Sequence, residues 1–92
     1  MSGGLFQKTY NFSGYVDKYH GVIGQEYYFS RYSSYDVWFR GVLKESWERT
    51  VCGSATERTY KVYVTESENS SAHVGSIIQN SGDTFYMYKY KS

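Results

Sequence analysis

Aromatic side chains are the feature that most restricts how this chain can fold. Of its 92 residues, 19 are aromatic and 12 of those are tyrosine, whereas leucine, isoleucine and valine together number 13. A tyrosine buries a large ring but needs a partner for its hydroxyl. We therefore expect most tyrosines at the margin of a small core, with the ring inward and the hydroxyl toward water, and some on the surface.

The stretch FYMYKYK, residues 85–91, shows the clearest strand pattern. Its alternation places Tyr86, Tyr88 and Tyr90 on one face and Phe85, Met87, Lys89 and Lys91 on the other. Because Phe85 and Met87 carry no polar atoms that need partners, we expect them to pack near Phe39 and Leu43. The tyrosines then form a half-exposed outer face. If the sheet curls into a barrel, this assignment is inverted.

Residues 34–52 have a different period, with large side chains three and four positions apart. The positions at helical spacing are Tyr35, Trp38, Phe39, Val42, Leu43, Ser46 and Trp47. Ser33 before them is a candidate N-cap, and Gly53 stands where a glycine commonly follows a helix. The pattern predicts a helix.

One observation weakens the helix prediction. Gly41 lies in the middle of the predicted helix, where glycine costs about 1 kcal/mol relative to alanine. A strand over residues 37–43 is the alternative, but it would require Val37 and Trp38 to be buried on opposite faces. We therefore predict the helix.

The rest of the chain predicts strands separated by polar turns. Alternating or apolar runs occur at residues 5–16, 22–32, 57–66, 72–79 and 84–91. The predicted fold is α+β, with one antiparallel sheet of about five strands, one helix packed on one face, and the order ββαβββ. The last three strands are expected to form a meander. The alternative is a small all-β barrel. Residues 1–4 are expected to be a disordered tail and residues 5–92 a single compact domain.

Charge and cysteine content narrow the functional classes. The formal net charge is +1, which predicts no strong general attraction to nucleic acid or to anionic membranes. The sequence contains no long apolar run and no signal-peptide pattern. Cys52 is the only cysteine, so no intrachain disulfide can form. We therefore expect a cytoplasmic protein (in the host cytoplasm if the source is viral) that has no membrane partner.

The sequence shows no convincing catalytic or metal-binding motif. His20, His73 and Cys52 are far apart in sequence, which argues against a zinc site. Phosphate-binding and dinucleotide-binding glycine motifs are absent, and so is a nucleophile elbow. We therefore predict a protein that is not an enzyme and that uses no cofactor or metal.

Binding is the functional class that the sequence favours. The candidate partner-binding residues are Tyr86, Tyr88, Tyr90, Lys89 and Lys91 of the last strand, with Tyr63 and Lys61 from a neighbouring strand. Large amphipathic rings are typical of protein interfaces, so another protein is the leading partner. Small chains of this kind include accessory inhibitors from phages and mobile elements. One alternative is a single-stranded nucleic-acid binder that stacks bases on tyrosines. The other is a structural subunit that forms a homodimer through its C-terminal strand.

Overall fold

A computed structural model describes residues 10–31 and 34–92, which form one antiparallel sheet of six strands. The strands are β1 (Phe12–Val16), β2 (Glu26–Arg31), β3 (Ser34–Cys52), β4 (Ala55–Ser67), β5 (Ile77–Ser81) and β6 (Phe85–Lys91). Their order across the sheet is β1-β6-β2-β3-β4-β5. The described ranges are all-β, and they contain no helix that is long and apolar enough to cross a membrane.

The predicted α+β fold with the order ββαβββ is therefore wrong. The segment predicted to be a helix is β3, which pairs with β2 on one side and with β4 on the other. Trp38 and Phe39 are adjacent and both buried, because both faces of the sheet are covered at this point. Large side chains recur at helical spacing in this segment because both faces of the strand are buried. The predicted N-cap Ser33 and the predicted tail at 1–4 lie outside the described residues.

The strand register defines two adjacent rows of residues that run across the strands, and the side chains of the two rows point to opposite faces of the sheet. One row runs across five strands through Val16, Met87, Phe29, Phe39 and Ser67. We call its side the inner face, because Phe29 and Phe39 are fully buried there. The neighbouring row runs through Tyr15, Tyr88, Tyr28, Arg40 and Glu66. We call its side the outer face.

The sheet curls so that the inner face covers itself. Residues 82–84 connect β5 to β6, and the four Cα–Cα steps from Ser81 to Phe85 span at most about 15 Å. In a flat sheet β5 and β6 would be four strand spacings apart, about 19 Å. Curling brings the ring centroids of Phe29 in β2 and Tyr60 in β4 to within 5.9 Å.

The expected meander of the last three strands is also wrong. β4 pairs with β5, but β6 pairs with β1 and β2 rather than with β5. The turn at 82–84 therefore connects β5, at one edge of the curled sheet, to β6, which lies next to the opposite edge. It is held by Gly82, whose N–H donates to the carbonyl of Arg58 at 2.8 Å, and by Lys18, which pairs with Asp83 at 2.6 Å.

The core lies on the inner face under the loop at residues 17–25. Phe85 and Met87 are buried as expected, and the rings of Phe85 and Phe39 are 5.2 Å apart. The loop is tied to β3 because Gly24 donates to the carbonyl of Leu43 and Leu43 donates to that of Gln25. A β-carbon at Gly21 would lie 2.7 Å from a methyl group of Leu43, so the loop packs directly on the core.

Candidate functional site

The outer face carries a continuous cluster of aromatic rings around Tyr28. Tyr28 lies between Tyr88 and Arg40 in the cross-strand row, and the Arg40 guanidinium is 5.3 Å from the centre of its ring. Trp38 packs beside Tyr28 with ring centroids 6.1 Å apart. Adjacent aromatic residues on a strand place rings on both faces, so Tyr27 and Phe29 fill the core while Tyr28 faces outward.

Gly14 extends this cluster onto β1. Its φ of 68° is a left-handed conformation that interrupts the extended strand. Phe12 and Tyr15, three residues apart, consequently both reach the ring of Tyr88, at 5.5 and 5.8 Å. Strict alternation would place them on opposite faces.

Lys91 inserts its ammonium group among three rings of this cluster. Its Nζ lies 4.6 Å from the ring centre of Trp38, 5.0 Å from that of Tyr10 and 6.0 Å from that of Tyr28. We call this arrangement of Tyr10, Tyr28 and Trp38 the cation cage.

A carboxylate holds two walls of the cation cage. Glu68 Oε2 accepts a hydrogen bond from Trp38 Nε1 at 3.0 Å and a second one from the hydroxyl of Tyr10. The backbone supports this contact, because Glu68 N–H donates to the carbonyl of Trp38. The orientation of both rings is therefore fixed by polar contacts as well as by packing.

A second feature, a groove, lies where β2 and β6 diverge beyond the Tyr28–Tyr88 pair. It has a volume of about 400 Å³ and is lined by Val22, Gln25, Glu26, Tyr27, Lys89 and Tyr90. We call it the β2–β6 groove. A neighbouring hollow of about 330 Å³ shares Val22, Tyr27 and Lys89 with it and adds Tyr15. The N–H of Val22 donates to the Tyr27 hydroxyl at 3.0 Å, which anchors the loop wall of the groove.

Exposed apolar side chains surround this groove. Tyr15, Val22 and Tyr90 are 55, 59 and 62% exposed. Partial burial, reinforced by the negative charge of Asp17, raises the pKa of the Tyr15 phenol above its ordinary value of 10.0. The rim therefore offers neutral amphipathic rings beside the ammonium group of Lys89.

The structure brings together only some of the predicted site residues. Tyr90 and Lys89 lie at the β2–β6 groove, whereas Tyr88 is buried in the outer cluster and Tyr86 is half-buried beside Tyr15. Lys91 lies in the cation cage. Tyr63 and Lys61 are on β4, three strands away from β6, so they do not join the same surface.

Acidic partners compensate several of the basic side chains. Arg40 contacts Glu26 at 2.9 Å and Glu66 at 3.7 Å, and Lys61 lies 3.8 Å from Glu45. Two further ion pairs join Arg49 to Glu57 and Lys18 to Asp83. The hydrogen bond to Asp83 raises the pKa of Lys18. Around Arg40 the outer face therefore presents mixed charge rather than a positive stripe.

The described residues bring together no group of three His, Cys, Asp or Glu side chains that could hold a metal ion. Cys52 is exposed at the end of β3, and His73 is exposed in the connection between β4 and β5. That the protein is not an enzyme stays a prediction.

The sequence interpretation missed Tyr10, Phe12, Tyr28 and Trp38 as members of one surface. Trp38 was assigned to a helix, and the strand predicted at residues 5–16 was not connected with it. A usable signal was present in Tyr27-Tyr28-Phe29, because a strand with three successive rings has to cover both faces.

Comparisons of the chain with protein-family models, with curated proteins and with solved structures gave no match. Function has to be inferred from the chemistry of these two surfaces.

Proposed function

We propose that this protein is a non-enzymatic binding protein and that it contacts a polypeptide segment of another protein at the β2–β6 groove. The observation that carries the proposal is the exposure of Val22 and Tyr90 at this groove, with Tyr15 at the adjoining hollow that shares Val22 and Lys89 with it. Each exposes more than half of its surface. Tyrosine is enriched at protein interfaces because its ring is large, fairly rigid and amphipathic.

The charges at the groove favour a protein over a nucleic acid. Glu26 and Lys89 both line it, so the groove carries one group of each sign, and Glu26 is itself paired with Arg40. A nucleic-acid surface needs several cations that neutralise phosphates. Arg40, the cation nearest to Glu26, is already paired with Glu26 and Glu66. A segment with an apolar side chain and a nearby charged group fits this surface.

The experiment compares wild-type protein with Tyr90→Ser as bait in a lysate. Tyr63→Ser is the matched control, since Tyr63 is an exposed tyrosine on a distant strand. A partner should be retained by the wild type and by the control but lost with Tyr90→Ser. With the purified partner, Tyr90→Ser should weaken Kd by about tenfold or more, the effect of a single interface anchor.

Three outcomes would replace this proposal. Equal retention by Tyr90→Ser and by a Val22→Ser variant, with both shown to be folded, would remove the groove as the contact surface. Salt-sensitive binding to mixed-sequence single-stranded DNA would favour the nucleic-acid alternative. A concentration-dependent dimer in sedimentation would favour self-association. In the described sheet, strand pairing between copies would use β1 or β5, because β6 lies inside the sheet.

The proposal extends to inhibition if the partner is an enzyme. The activity of that enzyme should then fall as wild-type protein is added and should be unaffected by Tyr90→Ser. Full activity at saturating wild-type protein would show that binding serves another purpose.

A further inference from the structure

The cation cage already holds a cation, which is the ammonium group of Lys91. Its walls come from three separate parts of the chain: Tyr10 before β1, Tyr28 of β2 and Trp38 of β3. The rings also support one another, with Tyr10 and Trp38 centroids 5.5 Å apart and Tyr28 and Trp38 centroids 6.1 Å apart. The cage is therefore a packed arrangement of rings and not a single chance contact.

The electrostatics of the cage suit a positive charge. The faces of aromatic rings attract cations, and tryptophan does so most strongly. Glu68 accepts hydrogen bonds from the Trp38 indole and the Tyr10 hydroxyl, which adds a negative charge next to the rings. Among the described residues, the other cation on these rings is Arg40 on Tyr28, and its charge is balanced by Glu26 and Glu66.

A primary ammonium group is a poor match for the chemistry of such a cage. Lysine carries a compact, strongly hydrated charge with three hydrogen-bond donors. Rings offer it no strong acceptors, so Lys91 loses hydration that the rings only partly replace. An ammonium group whose hydrogens are replaced by methyl groups is weakly hydrated and binds aromatic cages through its charged methyl surface.

We propose that the cation cage is a binding site for alkylated ammonium groups, of which an N-methylated lysine side chain of a partner is the example, and that Lys91 occupies it until such a group displaces it. Lys91 is then an internal competitor of the ligand. The site is built from residues other than those that line the β2–β6 groove, so this proposal does not rest on the proposed function.

The test is a titration with Nε-trimethyllysine, followed by Trp38 fluorescence. The chain has two tryptophans, so a Trp47→Phe background leaves Trp38 as the reporter. In that background Lys91→Ala should bind trimethyllysine about tenfold more tightly than the form that retains Lys91, because the competitor is removed. Unmodified lysine and the uncharged tert-butyl analogue should both bind more weakly than trimethyllysine.

Lys89→Ala is the matched control, because Lys89 is an exposed lysine on the same strand and is outside the cage. It should leave the affinity for trimethyllysine unchanged. Equal binding of the uncharged analogue would overturn the proposal, as would an equal gain in affinity from Lys89→Ala. So would the absence of any trimethyllysine binding to folded Lys91→Ala.

A measurement on the unaltered protein decides the question if Lys91→Ala does not fold. Ring currents from the cage should shift the side-chain methylene protons of Lys91 upfield in the NMR spectrum. Saturating trimethyllysine should return these signals to the positions of a solvated lysine while the protein stays folded. Lys91 signals that stay shifted at saturating ligand would overturn the displacement.

Discussion

The inner and outer faces of the sheet carry aromatic rings in neighbouring rows, but they differ in what the rings need. On the inner face Phe29 and Phe39 stack with centroids 5.1 Å apart, and neither has a polar atom. On the outer face Tyr28 packs against a guanidinium and Trp38 donates to a carboxylate. Packing alone satisfies the first face, whereas the second also depends on charged partners. The inner face is therefore expected to set stability and the outer face to offer specific contacts.

Replacement of Phe39 by alanine is expected to have the largest effect. The side chain is fully buried against Phe29 and Phe85. A cavity of this kind lowers the free energy of unfolding by about 3–5 kcal/mol. The matched change on the outer face is Phe12→Ala. That ring is only half-buried, so we expect a loss of roughly 1–2 kcal/mol. Urea denaturation measures both, and equal losses would contradict the division between the faces.

Gly41→Ala is expected to show how closely the inner face of β3 approaches β4. A β-carbon there would overlap the carbonyl oxygen of Tyr63 and lie 2.5 Å from a methyl group of Val62. Because a backbone atom cannot move aside cheaply, the free energy of unfolding should fall by about 1–3 kcal/mol or more. Gly24→Ala provides the comparison. The φ of Gly24 is 92°, but a β-carbon there would meet no atom within 4 Å apart from those of its chain neighbours. A larger loss from Gly24→Ala would show that backbone strain outweighs packing.

Trp38→Phe tests the polar contacts of the outer face. The substitution keeps an aromatic ring but removes the N–H that donates to Glu68 at 3.0 Å. A hydrogen bond to a charged group contributes about 1.5–3 kcal/mol, and exposed Glu68 recovers part of this from water. We expect a loss of about 1–2 kcal/mol by chemical denaturation. Trp47→Phe, near the other end of β3, should cost less. No difference between the two would mean that the outer face is stabilised by packing alone.

Tyr60→Phe tests a polar group that is buried on the otherwise apolar inner face, the phenol of Tyr60. Burial raises the pKa of Tyr60 above its ordinary value of 10.0. As the pH rises through that value, the unfolded chain loses this proton while the folded protein retains it. The folded state binds more protons, so the wild-type free energy of unfolding falls with rising pH in this range. Tyr60→Phe removes this contribution, and its stability should fall less between about pH 8 and about pH 11. Parallel stability curves for the two proteins would contradict the assignment.

Part of the fold could be predicted from alternation alone. Residues 85–91 were assigned to a strand with Phe85 and Met87 facing the core, and the structure has both features. Alternation failed for β3, because shifts in register at Arg40/Gly41 and at Leu43/Glu45 break the two-residue period. The burial of Val37 and Trp38 on opposite faces was the argument against a strand. In a curled sheet that is covered on both sides, such burial is what a central strand requires.

The candidate sites were less accessible to prediction, because they depend on strand order. β6 lies between β1 and β2, which contradicts the local pairing assumed for the last three strands. This position takes Tyr63 and Lys61 away from the predicted surface and brings Phe12 and Tyr28 next to Tyr88. Pairings between residues that are distant in sequence leave no periodic signal. Gly41 did carry usable information, since a glycine inside a predicted helix suggested that the helix was wrong.

The position of β6 also has a consequence for how the chain folds. β2, β3 and β4 are joined by local hairpin pairings, so they can assemble while the rest of the chain is still disordered. β1 pairs with β6, and the register joins Phe12 to Lys91. β6 itself docks on β2, with Arg31 paired to Phe85, and this step closes the loop that contains β3, β4 and β5 with a large loss of conformational entropy. β1 can pair only once β6 is in place. Such topologies fold in milliseconds to seconds. We expect β1 to be the last strand to gain protection from hydrogen exchange during refolding.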